Sequence, residues 1–408
     1  MPGLLNPTTL RALNGLGRLL GAVGVDPTPL DPEPLKQAAR KQTGLEDFGP
    51  DDFEEGLAVV CASFQADAQL TPFGRAIAFD LTARALATRL QRIRLEAEQP
   101  EVFATPLNRP LIVMGLPRSG TTWLHRLLAL DPAARALATW ETARPFPGPG
   151  PDRRLEQTRT GLRRLRAIAP ELDVKHALVA EAPEECVALF GSALWTPTFW
   201  RFAAVHRYQA WLLQQDPRPG YAVYRQLLQH FQAWQPEARL TLKLPNHTGF
   251  LDTILALLPE ACVVQTHRDP APVVASYNSL MCSMHGVSSD ALDPHRAGAA
   301  GLELWAWHIE RNLAARAQAA PERVFDVSYR ALVADPIAVI RSIYEHFGLP
   351  MSHAFEEALQ AAIDAREKNT HARHVYALAD YGLHEDGVRE RFTAYLDIAW
   401  ARGWIGDR

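Results

Sequence analysis

From Phe73 to Ala97 apolar residues recur at intervals of three and four with arginines between them, which predicts an amphipathic helix. The pattern changes after Pro106 to Pro110, where Leu111, Ile112, Val113 and Met114 open an unbroken apolar run that ends at Gly115 and Leu116. A run of that kind suits a strand buried on both faces, as in a parallel sheet. Three more follow: Leu240–Thr241–Leu242, ending in Lys243–Leu244–Pro245; Ala261 to Thr266, ending in His267–Arg268–Asp269–Pro270; and Val324 to Val327, ending in Ser328–Tyr329. Helical patterning intervenes from Phe250 to Leu258 and again after Tyr329 through Phe347. Strands alternating with helices predict an α/β fold with a central parallel sheet covered on both faces, and such sheets bind ligands at the carboxyl ends of their strands.

The same patterning divides the chain. Residues 1–105 read as a helical N-terminal extension, 106–350 as the α/β domain, and 351–408 as a C-terminal helical segment packing on that domain. Inside the α/β domain, residues from about 150 to 236 form a helical insertion rich in aromatics (Trp195, Trp200, Trp211, Trp234), which either cap a site or build a core.

Composition narrows the classes. With 42 Lys+Arg against 46 Asp+Glu the formal charge is -4, which excludes a binder driven electrostatically onto nucleic acid. At 47% hydrophobic residues the chain can bury a large core and is not disordered throughout. Cys61, Cys186, Cys262 and Cys282 stand far apart, without metal-ligand spacing, so thiols in a reducing compartment and no metal are expected. The apolar N-terminal stretch lacks a basic start, is broken by Pro7 and carries Arg11 and Arg18, so neither a signal peptide nor a membrane span is expected and a cytoplasmic protein is. Lysines number five, so Lys243, directly after a predicted strand, stands out.

The chemistry concentrates after the first strand, in Gly115-Leu-Pro-Arg118-Ser119-Gly120-Thr121-Thr122. A small-residue loop feeding a helix that begins near Thr121 offers free backbone N–H groups and the positive end of the helix dipole, a ready phosphate site. The spacing from Gly115 to Gly120 is that of a nucleotide-triphosphate loop, but threonine stands where the phosphate-binding lysine belongs. Hydroxyls there, with Arg118 as the cation, suit a single 5′-phosphate group better than a magnesium triphosphate.

The stretch from Pro117 to Leu124 resembles the 5′-phosphosulfate loop of the sulfotransferases that use 3′-phosphoadenosine 5′-phosphosulfate (PAPS) as sulfuryl donor. The family's second signature, a strand leading to an arginine with a serine eight residues on, is matched by Val263 to Ser276 through Arg268 and Ser276, which the resemblance assigns to the 3′-phosphate. An arginine fork and a helix-start hydroxyl can converge on one phosphate dianion. Similarity to the branch that joins bacterial sulfotransferases to tyrosylprotein sulfotransferases extends to Tyr329, in the strand that helps hold the nucleotide, and to Lys243, in the Lys-x-Pro segment whose lysine faces the sulfonate. Glu141, in Trp140-Glu141-Thr142, falls near the catalytic glutamate of tyrosylprotein sulfotransferases, with two extra residues before it. The resemblance runs from about Pro110 to Pro350.

Each assignment has a plainer reading beside it. The loop from Arg118 to Thr122 could be a structural strand–turn–helix connection, and Arg268 with Ser276 an exposed arginine and a helix-cap serine; the presence of both signatures favours binding. Glu141 is the first candidate for the general base, against a helix-start cap. His247, four residues beyond Lys243, is the rival base, against a satisfied histidine. Lys243 would meet charge growing on the bridging oxygen. Lys368, in a basic C-terminal segment, is a candidate for the 3′-phosphate, against a solvated helix end. Glu181-Ala-Pro-Glu184-Glu185 either lines the acceptor pocket or starts a helix, with the helix start as the default. The expectation is an enzyme that moves a sulfuryl group from PAPS to a hydroxyl, or less favourably an amine, of a small-molecule, glycan or lipid acceptor, without metal. Two alternatives are a small-molecule kinase on the same architecture and a non-catalytic nucleotide-binding protein. Composition and pattern are silent on oligomeric state.

Overall fold

The structure is a computed structural model, and it describes residues 14, 15, 17–19, 26, 28–170, 172, 178–367 and 376–406. Five strands, β1 (Leu111–Gly115), β2 (Ala134–Ala136), β3 (Arg239–Lys243), β4 (Cys262–His267) and β5 (Val324–Ser328), form one sheet in the order β2-β3-β1-β4-β5 with every pairing parallel. The chain leaves β1 toward β3 on one side and returns to β4 on the other. That reversal makes a crevice beyond the carboxyl end of β1. Four strands match the predicted runs to within a residue or two at each end. The fifth, β2, was not predicted: three residues at the sheet edge, none of them fully buried, need no apolar run, and β2 is held by its register against β3, from Ala134 beside Arg239 to Ala136 beside Thr241.

Helices cover both faces. Ahead of the sheet lie α1 (Pro32–Thr43), α2 (Glu54–Ala66) and α3 (Pro72–Glu98); α3 starts with Thr71 accepting from the Gly74 N–H and with proline in its first turn. Helix α4 (Thr121–Leu128) follows β1, and α5 (Thr139–Ala143) follows β2. Between α5 and β3 lie α6 (Arg154–Ile168), a 3₁₀ helix over Cys186–Ala193, α7 (Thr198–Phe202), α8 (His206–Gln214) and α9 (Arg218–Trp234). Then come α10 (Leu251–Leu257), α11 (Pro270–Ser288), α12 (Pro294–Arg316), α13 (Tyr329–Ala334), α14 (Pro336–His346), α15 (His353–Glu367), α16 (Glu385–Arg391) and α17 (Thr393–Ala401).

Because successive strand residues point to opposite faces, the sheet divides its apolar residues between two cores. Leu111, Val113 and Val264 pack with Leu124 and Leu128 of α4 and Ile340 of α14. Ile112, Met114, Leu242 and Val263 face the other way, toward Leu227 and Phe231 of α9. Leu35, Leu57, Phe64 and Leu86 of the N-terminal helices belong to that second core, as do Trp195 and Trp200, so these two tryptophans are structural rather than part of a cap's binding face. Trp234 is 42% exposed. Among the described residues no helix is long and apolar enough to cross a membrane.

Candidate active site

At the crevice the loop after β1 is shaped by three left-handed residues, Gly115 (φ 130°), Arg118 (φ 62°) and Gly120 (φ 91°). A Cβ on Gly115 would stand 2.3 Å from the Thr266 carbonyl oxygen of β4, and one on Gly120 3.1 Å from the Tyr329 ring, so glycine lets the loop press against its neighbours on both sides. Arg118 has no such freedom and holds a conformation uncommon for a side-chain-bearing residue. Ser119 is fully buried, its hydroxyl 2.5 Å from that of Thr266 and donating to the Leu116 carbonyl, so it braces the loop from inside. Thr121 and Thr122 occupy the first turn of α4, where backbone N–H groups have no partner within the helix.

The two signatures, some 150 residues apart, meet at this loop. Arg268 donates to the Arg118 carbonyl at 2.6 Å, and Arg118 Nε donates to Ser276 Oγ at 3.1 Å. The Arg268 guanidinium lies over the Tyr329 ring, 4.1 Å from its centroid. Arg118, Arg268, Ser276 and Tyr329 thus form one contact group at the ends of β1, β4 and β5.

Beside them, at the end of β3, Lys243 is 1% exposed and its Nζ is 2.7 Å from Glu185 Oε1. The other Glu185 oxygen accepts from Arg201. Glu185 immediately precedes the 3₁₀ helix, as the default reading of the acidic cluster has it, yet its side chain turns to Lys243. His125 of α4 joins the two regions electrically: burial first, and then the Lys243 charge, push its pKa down to about 4, against opposing contributions from Glu184 and Glu185. Lys243 and Glu185 therefore stand within electrostatic range of the helix that carries Thr121 and Thr122.

Glu141 has different surroundings. Its Oε1 is 2.7 Å from Arg135, and Oε2 accepts from the Ala138 N–H at 2.8 Å, so both oxygens are engaged and one of them reaches back to cap its own helix, α5. Arg135 itself lies over the Trp234 and Phe231 rings of α9, on the sheet face opposite α4. His247 is fully buried, with Nδ1 2.7 Å from the Tyr221 hydroxyl and Nε2 3.5 Å from Cys186 Sγ, and Phe190 and Tyr224 pack around the ring. Burial pushes its pKa down to about 3. Both candidate bases thus have the engagements their plainer readings describe. Lys368 lies outside the described residues. The sequence reading passed over Arg201 and gave Glu185 only a subsidiary role; the acidic run before an apolar stretch was the one local signal, and Arg201 had none, because its contact with Glu185 is made by the fold.

These features define a parallel α/β enzyme with its site at the switch point of the sheet. Within that class the chain belongs to the sulfotransferase family, whose model matches residues 110–353. It is similar to the sulfotransferase STF1 from Mycobacterium tuberculosis H37Rv, at 34% identity and a TM-score of 0.78 over 90% of this chain and 100% of that one. It is also similar to the sulfotransferase STF9 from Mycobacterium avium, at 28% identity and a TM-score of 0.83 over 92% of this chain and 98% of that one. No curated protein matches the chain.

Proposed function

We propose that this sulfotransferase takes its sulfuryl group from PAPS and delivers it to the hydroxyl of a small-molecule acceptor, with Glu185 as the general base. The observation that carries the reading is the contact of Arg268 with Arg118 and of Arg118 with Ser276, which joins two anion-recognition segments into one site. A nucleotide with phosphates at both ends fits that pair. The loop N–H groups with Thr121, Thr122 and Arg118 would hold the 5′ end, and Arg268, Ser276 and Tyr329 the 3′-phosphate and adenosine. Bound there, PAPS supplies a sulfuryl group with a phosphate as leaving group.

The chain's own residues carry the remaining work. Glu185 takes the acceptor's hydroxyl proton as the new S–O bond forms, and Lys243 meets the electron pair that the departing phosphate oxygen keeps when the old S–O bond breaks. With Glu185 held by two cations, one contact must yield before an oxygen can accept that proton. Lys243 is the one that yields, because the sulfonate is a competing anion for it. Glu185 is preferred to Glu141 because Glu185 contacts the lysine, whereas both Glu141 oxygens serve α5 and Arg135.

Calorimetric titration with 3′-phosphoadenosine 5′-phosphate tests the nucleotide assignment: binding without magnesium is expected, and ATP binding that needs magnesium, with no binding of that nucleotide, would overturn it. Labelled PAPS on an acceptor panel reads transfer. Should Glu141→Gln abolish turnover of folded protein and Glu185→Gln spare it, the base is Glu141.

A further inference from the structure

A cleft of about 990 Å³ opens between α3, α5, α6 and the 3₁₀ helix Cys186–Ala193. Its size is that of a site for a drug-sized or lipid-like ligand. Two of its walls are the elements next to the reaction centre. Thr139 and Thr142 come from α5; Ala188, Gly191 and Ser192 come from the 3₁₀ helix that starts directly after Glu185. At a rise of roughly 2 Å per residue, Ala188 lies only about 6 Å along that helix from Glu185. Main-chain bonds tie the walls together: the Thr139 N–H donates to the Ala182 carbonyl at 3.0 Å, and the Glu184 N–H donates to the Leu137 carbonyl at 3.1 Å. A ligand that fills this cleft is registered against Glu185 by a rigid support.

The lining is two-sided in character. Phe73, Ile77, Leu81, Leu165 and Ile168 give it an apolar body. Its charges are unbalanced: Arg84, Arg144, Arg153 and Arg164 against Asp80 and Glu156. Asp80 is held by Arg84 at 2.9 Å and Glu156 by Arg153 at 3.1 Å, so both acids are spoken for. Arg144 is half-buried and, among the described residues, has no carboxylate at ion-pair distance. Its pKa is pushed down by burial and then by the charge of Arg84, against a smaller opposing contribution from Asp80. An anion brought in by a ligand would relieve that excess.

Resting on the sulfotransferase reading with Glu185 at the centre, we propose that this cleft is the acceptor site and that it selects an amphipathic hydroxy acid: an apolar body along α3 and α6, an anionic group paired with Arg144, and the reacting hydroxyl directed past the start of the 3₁₀ helix toward Glu185.

Calorimetry with ω-hydroxydecanoate, decanol and ω-aminodecanol as probes, each below its micelle-forming concentration, tests this on the full chain with 3′-phosphoadenosine 5′-phosphate present. The hydroxy acid should bind at least tenfold more tightly than decanol, and the amino alcohol more weakly than either. Arg144→Gln should erase the preference for the acid while leaving affinity for decanol and for the nucleotide unchanged. Equal affinity of wild-type protein for acid and neutral alcohol would overturn the proposal, as would an Arg144→Gln variant that keeps the preference. If that variant does not fold, the wild-type ranking of the three probes decides alone. Failure here with nucleotide binding intact counts against the cleft only, whereas loss of nucleotide binding in the wild-type protein counts against the donor reading.

Discussion

The group at the carboxyl ends of β1, β4 and β5 and the Lys243–Glu185–Arg201 contact at the end of β3 are built by different means. On the first side each group is fixed by its own few residues of chain: a glycine at φ 91° in the loop, an arginine at a strand end, a serine on the first turns of the next helix. On the second side Glu185 gains its place from Lys243, 58 residues away, and from Arg201 on α7. Recognition of a phosphate needs particular residue types in particular local conformations, and those leave a pattern. The role of a carboxylate depends on what faces it, and what faces it is decided by the fold.

Substitution at the two glutamates tests that difference most strongly. Glu185→Gln should lower kcat of folded protein by about 10²–10⁴, the usual contribution of a positioned base, without weakening binding of 3′-phosphoadenosine 5′-phosphate, since Lys243 loses a competing anion. Glu141→Gln should instead act on stability, at a cost of about 3 kcal/mol from leaving Arg135 without its buried partner, and spare kcat of the folded fraction. Because Glu185→Gln also removes charge from a buried pair, turnover must be normalised to folded protein by denaturant titration. Equal kcat for the two variants would erase the distinction between the regions.

The sequence was informative in proportion to how local each contact is. Short apolar stretches located β1, β3 and β4, whose residues are all buried, and β5, an edge strand whose Val324 and Val327 are buried; β2, three residues with none fully buried, left no such trace. Arg118, Arg268, Ser276 and Tyr329, read from motifs, meet in space. Glu141 was favoured by its resemblance in position to the catalytic glutamate of tyrosylprotein sulfotransferases, and what position along the chain could not reveal is that Arg135, on a strand with no sequence signature, holds it. In the same way His247 follows Lys243 by four residues but enters a cage of Phe190 from the 3₁₀ helix Cys186–Ala193 and Tyr221 and Tyr224 from α9.

A smaller effect probes the first region. Arg268→Ala removes a charge-assisted contact and should weaken binding of 3′-phosphoadenosine 5′-phosphate by about 2 kcal/mol, roughly thirtyfold. Because the same guanidinium also supports the loop through the Arg118 carbonyl, adenosine 5′-phosphate, which lacks the 3′ group, should lose less affinity than the parent nucleotide. Equal losses for the two nucleotides would mean that Arg268 acts only by positioning the loop.

The smallest effect compares the two regions through their buried histidines, His125 on the helix that follows the β1 loop and His247 within the aromatic cage. Burial holds both well below the ordinary histidine value of 6.5, at about 4 and about 3. As pH falls below about 6.5 the unfolded chain takes up these protons first, so stability is fully present above that value and is lost progressively down to the folded-state pKa. Each such histidine contributes a slope of about 1.4 kcal/mol per pH unit inside its window. His247→Gln, which keeps a polar partner for the Tyr221 hydroxyl, should therefore flatten the fall in unfolding free energy between about pH 6 and pH 4 by up to that amount. Denaturant titrations across this range measure it, and the pH profile of kcat should not move, because a histidine sealed from the crevice takes no proton from the acceptor. A shifted kcat profile with an unchanged stability slope would return His247 to the site as the base, and the second region would then be as legible from the sequence as the first.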